Sequence, residues 1–174
     1  MSTAPARMMV LVGDSFACVK LIGRANFNSS IDFKTLVGEL HAKGFNFFVL
    51  ELSECVLMDS TFLGVLAGFG LKMNADRKET TESPIELLNP NPRIAELLEN
   101  LGVLHLFRVA HGALDLARCA EGPTVAPANP TPEEVTRACL EAHQTLMEVN
   151  PANVARFKDV AQFLAEDLKK IVQR

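Results

Sequence analysis

The 174-residue chain is predicted to be an α/β protein, a mixed sheet with crossover helices, carrying an α-helical hairpin after it. Three observations carry that prediction. Strand-like and helix-like segments alternate in the order β-β-α-β-α-β-α-β over the first two thirds of the chain, and such alternation builds sheets whose strands are joined through packed helices. Phe45 to Leu52 is apolar almost throughout, as a central strand covered on both faces must be. Beyond a proline-rich stretch, two further segments each carry a single apolar stripe at helical spacing.

Each element has a local reason. Met8 to Gly13 is short and apolar, and Asp14-Ser15 turns it into a second strand, Phe16 to Gly23. Asn26 to Ser30 reads as a polar loop, with Ser30 as the N-cap of a helix from Ile31 to Lys43 that buries Ile31, Leu36, Val37 and Leu40 and stops at Gly44. The stretch from Phe47 reads as a buried strand ending in the polar turn Asp59-Ser60-Thr61, from which an apolar helix runs to about Ala75. Gly64 and Gly68 share one face of that helix and are expected to let it approach the sheet closely. Ile85 to Leu88 is the next strand. Asn91-Pro92 opens a helix to about Asn100, Gly102 ends it, and Val103 to Val109 reads as the last strand.

Residues 119–132 hold Pro123, Pro127, Pro130 and Pro132 and read as a stiff, extended linker. Thr131-Pro132-Glu133-Glu134 is then a helix start, with Thr as cap, Pro in the first turn and Glu134 completing a capping box. Val135, Ala138, Cys139, Ala142, Leu146 and Val149 form one stripe; after Asn150-Pro151, Val154, Phe157, Ala161, Leu164, Leu168 and Ile171 form another. The expected organisation is a domain over 1–118, a linker over 119–132 and a hairpin over 133–174. Two helices cannot bury both stripes alone, so the hairpin packs on its own domain, pairs across a homodimer or binds another protein.

Composition narrows the function. A net charge of −4 and a pI near 5.6 offer no basic stripe for phosphates, which argues against nucleic-acid binding. The longest apolar run, Phe62 to Leu71, is far too short to span a bilayer, and the first residues lack the pattern of a signal peptide, so the chain is expected in the cytoplasm. Cys18, Cys55, Cys119 and Cys139 are widely spaced and read as buried reduced thiols; His41, His105, His111 and His143 show no metal-site spacing. No phosphate-binding glycine loop opens a helix after a strand. No catalytic constellation, metal site or cofactor is expected.

The segment Met58-Asp59-Ser60-Thr61-Phe62-Leu63-Gly64, at a strand-to-helix turn, resembles the signature of the STAS domain as found in bacterial anti-sigma-factor antagonists. That family has Met-Asp-Ser-Ser/Thr before Gly-Leu-Gly and a helix; Phe62 stands where its first glycine usually is. The element order is also similar over about residues 8–118, as is the helix-Gly-strand ending from Leu97 to Phe107. The resemblance implies that Ser60 is phosphorylated by a partner kinase, with Thr61 as second choice, and that Asp59, Ser60, Thr61, Phe62, Leu63 and Asn26 bind the partner. Asn26 lies in the loop where antagonists often carry an acidic residue.

Two bland readings stand beside these. Ser60 serves equally well as a helix N-cap, and Phe62 is either an exposed anchor or a core residue. The implied function is a binding module that captures an anti-sigma factor when unphosphorylated and releases it when that anti-sigma kinase modifies Ser60. The alternative is a non-catalytic scaffold subunit of a larger signalling or transport assembly, with the hairpin as its contact.

Overall fold

The structure, a computed structural model, describes residues 6–76, 83–122 and 129–174. Among these, seven strands form a mixed sheet: β1 Arg7–Val12, β2 Ala17–Ala25, β3 Phe48–Glu51, β4 Cys55–Met58, β5 Ile85–Leu88, β6 Arg108–Ala110 and β7 Ala120–Glu121. The order is β6-β5-β3-β2-β1-β7, with β4 paired to the far end of β2. β2 runs parallel to both β3 and β4, and β5 lies parallel to β3 and β6; β1 is antiparallel to β2 and β7. The helices are α1 Phe27–Ala42, α2 Ser60–Ala75, α3 Pro92–Asn100, α4 Pro132–Val149 and α5 Asn153–Val172.

Four boundaries differ from the sequence expectation. α1 begins at Phe27, because Asn26 and not Ser30 is its cap: the Asn26 carboxamide oxygen accepts from the amides of Asn28 and Ser29, and Ser29 Oγ accepts from the Asn26 amide at 2.9 Å. Ser30 lies inside the helix, and its hydroxyl donates to the Phe27 carbonyl at 2.8 Å. The long buried strand before Asp59 is two strands, β3 and β4. The Glu51 carboxylate accepts from both the amide and the hydroxyl of Ser53 at 2.8 Å and folds the chain between them. The expected last strand is shortened to β6, preceded by a 3-10 turn over Leu104–Leu106. Finally, the segment read as linker starts with β7, and the Gly122 amide donates to the Val10 carbonyl at 2.8 Å. Pro123 and Pro127 lie outside the described residues.

The core sits between one face of the sheet and the helices α1, α2 and α3, with α4 packed on α1 and α2. Phe33 of α1, Phe48 of β3 and Phe62 and Phe69 of α2 form its aromatic centre: ring centroids are 5.0 Å apart for Phe33–Phe62, 6.2 Å for Phe33–Phe69 and 5.0 Å for Phe48–Phe69. Leu146 of α4 and Phe157 of α5 belong to the same buried cluster. Of the hairpin's three conceivable uses, packing on its own domain is therefore the one present here.

The hairpin turn is held by polar contacts. Asn153 is buried, and its carboxamide donates to the carbonyls of Leu101 (2.9 Å) and Leu146 (2.8 Å). Beside it Gly102 has φ of 72°, a left-handed conformation that favours glycine, and a Cβ there would lie 2.5 Å from Asn150 Nδ2.

Two of the four cysteines are buried as expected; Cys119 and Cys139 are partly exposed. Burial pushes the Cys18 thiol up to about 12 and the Cys55 thiol up to about 11, so neither supplies thiolate near neutral pH.

Candidate functional site

β2 and β4 end side by side. Met58 pairs with Ala25, and the Asp59 amide donates to the Ala25 carbonyl at 2.9 Å, so α1 and α2 start next to each other at the carboxyl ends of two parallel strands. In open α/β sheets this edge is where ligands and partners are received. Asn26 meets Asp59, Ser60 and Thr61 here, although it lies far from them in sequence.

Asp59 joins the two helix starts. Its backbone is extended (φ −84°, ψ 172°), which places the carboxylate over the first turn of α2, where Oδ1 accepts from the Phe62 amide at 2.8 Å. Oδ2 accepts from the Phe27 amide, the first of α1, also at 2.8 Å. One carboxylate thus satisfies an orphan donor from each helix and lies at the positive end of both dipoles. Asp59, not Ser60, is the cap of α2. The Ser60 side chain is left to bond elsewhere.

It bonds to the hairpin. Ser60 Oγ lies 2.9 Å from His143 Nε2 of α4. The other ring nitrogen, Nδ1, lies 2.6 Å from the Cys139 carbonyl, which can only accept. In the neutral imidazole the hydrogen is therefore on Nδ1, Nε2 has the free lone pair, and the Ser60 hydroxyl donates to it. His143 is buried and packs edge-on against Phe157, with centroids 5.2 Å apart. Thr61, also buried, hydrogen-bonds through its side chain with Cys139. Burial raises the Cys139 pKa, and the Thr61 bond offsets part of that rise.

The remaining predicted residues point inward. Phe62 is fully buried (0% exposed) and Leu63 nearly so (2%). Of the two readings left open for Phe62, the core one describes this conformation. Gly64 does make a close approach, but toward α4 rather than the sheet, and Gly68 faces the same helix at ordinary contact distance. A Cβ at Gly64 would lie 2.3 Å from the Ala142 carbonyl oxygen, and one at Gly68 would lie 3.9 Å from Thr145 Cγ2.

A serine hydroxyl donating to an oriented imidazole is also the ground arrangement of an activated nucleophile. Here His143 is buried between α2 and α4, and Ser60 is half-buried beside it. The described groove between α1, α2 and α4, about 830 Å³, is lined by Lys34, Lys72, Arg137 and Glu141 among others but includes neither Ser60 nor His143. The helix start itself suits added negative charge on Ser60, since α2 presents the positive end of its dipole there.

Sequence reasoning missed His143. The available signal was its place on the apolar face of α4, four residues after Cys139 and three before Leu146, where a polar side chain needs a buried partner. It also passed over Phe27, an exposed aromatic whose amide is held by Asp59.

Comparison with known proteins agrees with this fold. The STAS domain family model matches residues 7–116, well over half of the chain, and the chain belongs to that family. The match ends before α4, so neither helix of the hairpin is part of it. No curated protein matches by sequence. Among solved structures, an anti-sigma factor antagonist from Mycobacterium paratuberculosis is similar with a TM-score of 0.53 at 17% identity, covering 67% of this chain and 93% of that one. A putative anti-sigma factor antagonist from Thermotoga maritima gives 0.51 at 19%, covering 65% and 89%. The unphosphorylated anti-sigma factor antagonist SpoIIAA gives 0.49 at 14%, covering 64% and 92%. At these identities the likeness is one of fold. Among the described residues no helix is long and apolar enough to cross a membrane.

Proposed function

We propose that the chain is an anti-sigma-factor antagonist: a non-catalytic binding module that captures an anti-sigma factor and is switched by phosphorylation of Ser60, the partner acting as the serine kinase. The observation that carries this reading is the position of Ser60. It is the first residue of α2 in a STAS motif, and its cap role is taken by Asp59, so its hydroxyl is not needed by its own helix. A phosphate adds roughly −1.5 to −2 charge at neutral pH; the helix start tolerates it, while a partner surface pressed there does not. Thr61 is the second acceptor, and Asp59 and Asn26 frame the face that the partner meets, while Leu63 packs in the core behind it.

Coupling of this kind is typically worth about 1–3 kcal/mol, or roughly 5–150-fold in affinity. Ser60→Asp should therefore weaken binding of the cognate anti-sigma factor by that order, and Ser60→Ala should retain it, measured by calorimetry. Equal affinities would remove the switch.

A second reading, a scaffold subunit, is favoured by one observation. Val160, Phe163 and Val172 of α5 stay exposed, Phe163 at 69%, although the opposite side of that helix is packed. If α5 is an assembly contact, including one with a second copy, the mass measured by light scattering should rise with concentration and Phe163→Glu should keep the chain monomeric. A constant monomer mass for the unmodified chain would remove the homodimer.

A further inference from the structure

We propose that the α4–α5 hairpin is a built-in occupant of the partner-binding face, latched to the Ser60 hydroxyl by His143, and that a helix of the partner must displace α4 to bind. This rests on the reading of Ser60 as the switch and adds to it a closed form that neither partner nor kinase can use.

The seat is made for a helix. α2 offers a strip without side chains at Gly64 and Gly68, and α4 lays its own backbone into it: the Ala142 carbonyl oxygen, carbonyl carbon and Cβ all fall within 2.7 Å of where a Gly64 Cβ would stand. Two helices approach this closely only where one lacks side chains at the crossing. Gly64 belongs to the family motif, whereas α4 lies outside the family match. The groove-forming residue is thus part of the shared fold, and its occupant is this chain's addition.

The latch is on the switch itself. Ser60 Oγ is 2.9 Å from His143 Nε2, so in this conformation the imidazole holds the hydroxyl hydrogen and takes up the direction in which an O–P bond would replace it. Transfer of phosphate to Ser60 needs His143 withdrawn, and withdrawal of His143 carries Cys139 away from Thr61. The hairpin is held at its other end by Asn153 on the Leu101 carbonyl and by burial of Leu146 and Phe157, so it leaves as a unit. Affinity for any partner of this face is reduced by the open fraction: a hairpin open about 1% of the time weakens binding about 100-fold.

The test uses the full chain in three forms: unmodified, Ala142→Arg and His143→Ala. Ala142→Arg puts a guanidinium where Gly64 leaves no space, without altering the STAS surface; His143→Ala removes only the latch. Each is incubated with ATP and an extract of the cells the protein comes from, and Ser60 phosphorylation is followed by mass spectrometry. Hydrogen exchange is read on the same proteins. Expected are fast exchange throughout α4 and α5 of Ala142→Arg with β2 and β3 still protected, Ser60 phosphorylation at least about tenfold faster, and a smaller rise in both for His143→Ala. An Ala142→Arg hairpin as protected as the unmodified one overturns the seat. Equal phosphorylation of open and closed chains overturns the masking and leaves the Ser60 switch standing. If none of the three is phosphorylated at Ser60, the switch reading fails and the proposal falls with it. Should Ala142→Arg also lose protection in the sheet, the His143→Ala rates decide alone, and rates equal to the unmodified chain's overturn the latch.

Discussion

Replacing Phe62 by Ala is expected to cost about 3–5 kcal/mol of folding stability, the range for emptying a buried aromatic site. The ring is fully buried and lies 5.0 Å from Phe33, which in turn packs edge-on against Phe69, whose ring meets Phe48. These four rings come from α1, α2 and β3, so the cavity would open where three elements meet and none can close it alone. Against a typical domain stability of about 5–15 kcal/mol the loss is large. Urea unfolding followed by circular dichroism should show a much lower midpoint with an unchanged slope. A change within about 0.5 kcal/mol would belong to a surface residue and would restore Phe62 as an exposed anchor. The glycine of the signature that this chain resembles, placed at position 62, would leave the same space unfilled.

How much of this was legible depended on whether the deciding forces were local. The Asp59-Ser60-Thr61 turn and the start of α2 are, because a buried strand, a polar turn and an apolar helix follow one another directly; which turn residue caps the helix is not, and it is Asp59 rather than Ser60. The start of α1 is ambiguous in the sequence because Asn26 and Ser30 are both competent caps. Asn26 prevails through its reciprocal bonds with Ser29, and Ser30 then folds its hydroxyl back onto the Phe27 carbonyl. The break between β3 and β4 was hidden because Leu52 and Cys55 are as apolar as the strands around them, and what makes the turn is the Glu51 carboxylate bonding to Ser53. β7 has only two residues and forms because β1 offers an edge. The hairpin's stripes stated that a covering surface was required but not which one. For that reason the face that Gly64 and Gly68 share points equally to the sheet or to a covering helix, and the partnership of Ser60 with His143, a long-range contact, leaves no mark in either segment.

Gly64→Ala should separate the hairpin from the domain, although helix propensity argues the other way. Alanine is favoured over glycine inside a helix by about 1 kcal/mol, and in isolation the change would strengthen α2. The added methyl, however, would lie 2.3 Å from the Ala142 carbonyl oxygen and 2.7 Å from its carbonyl carbon, which are backbone atoms of α4 and cannot rotate aside. Relief requires α4 to move, and overpacking of this kind costs about 1–3 kcal/mol. Gly68→Ala is the matched control. Its methyl would meet only Thr145 Cγ2 at 3.9 Å, an ordinary contact, so there the propensity gain should survive. The expected result is divergence: Gly68→Ala equal to or more stable than the unmodified chain, and Gly64→Ala with α4 and α5 exchanging faster while β2, β3 and α1 remain protected. The clash falls on the face that seats α4, and Leu146, Phe157 and Asn153 are the contacts that must let go with it. If the two glycine variants behave alike, α4 is not seated on Gly64, and Ser60 is open to solvent and to partners without any movement of the hairpin.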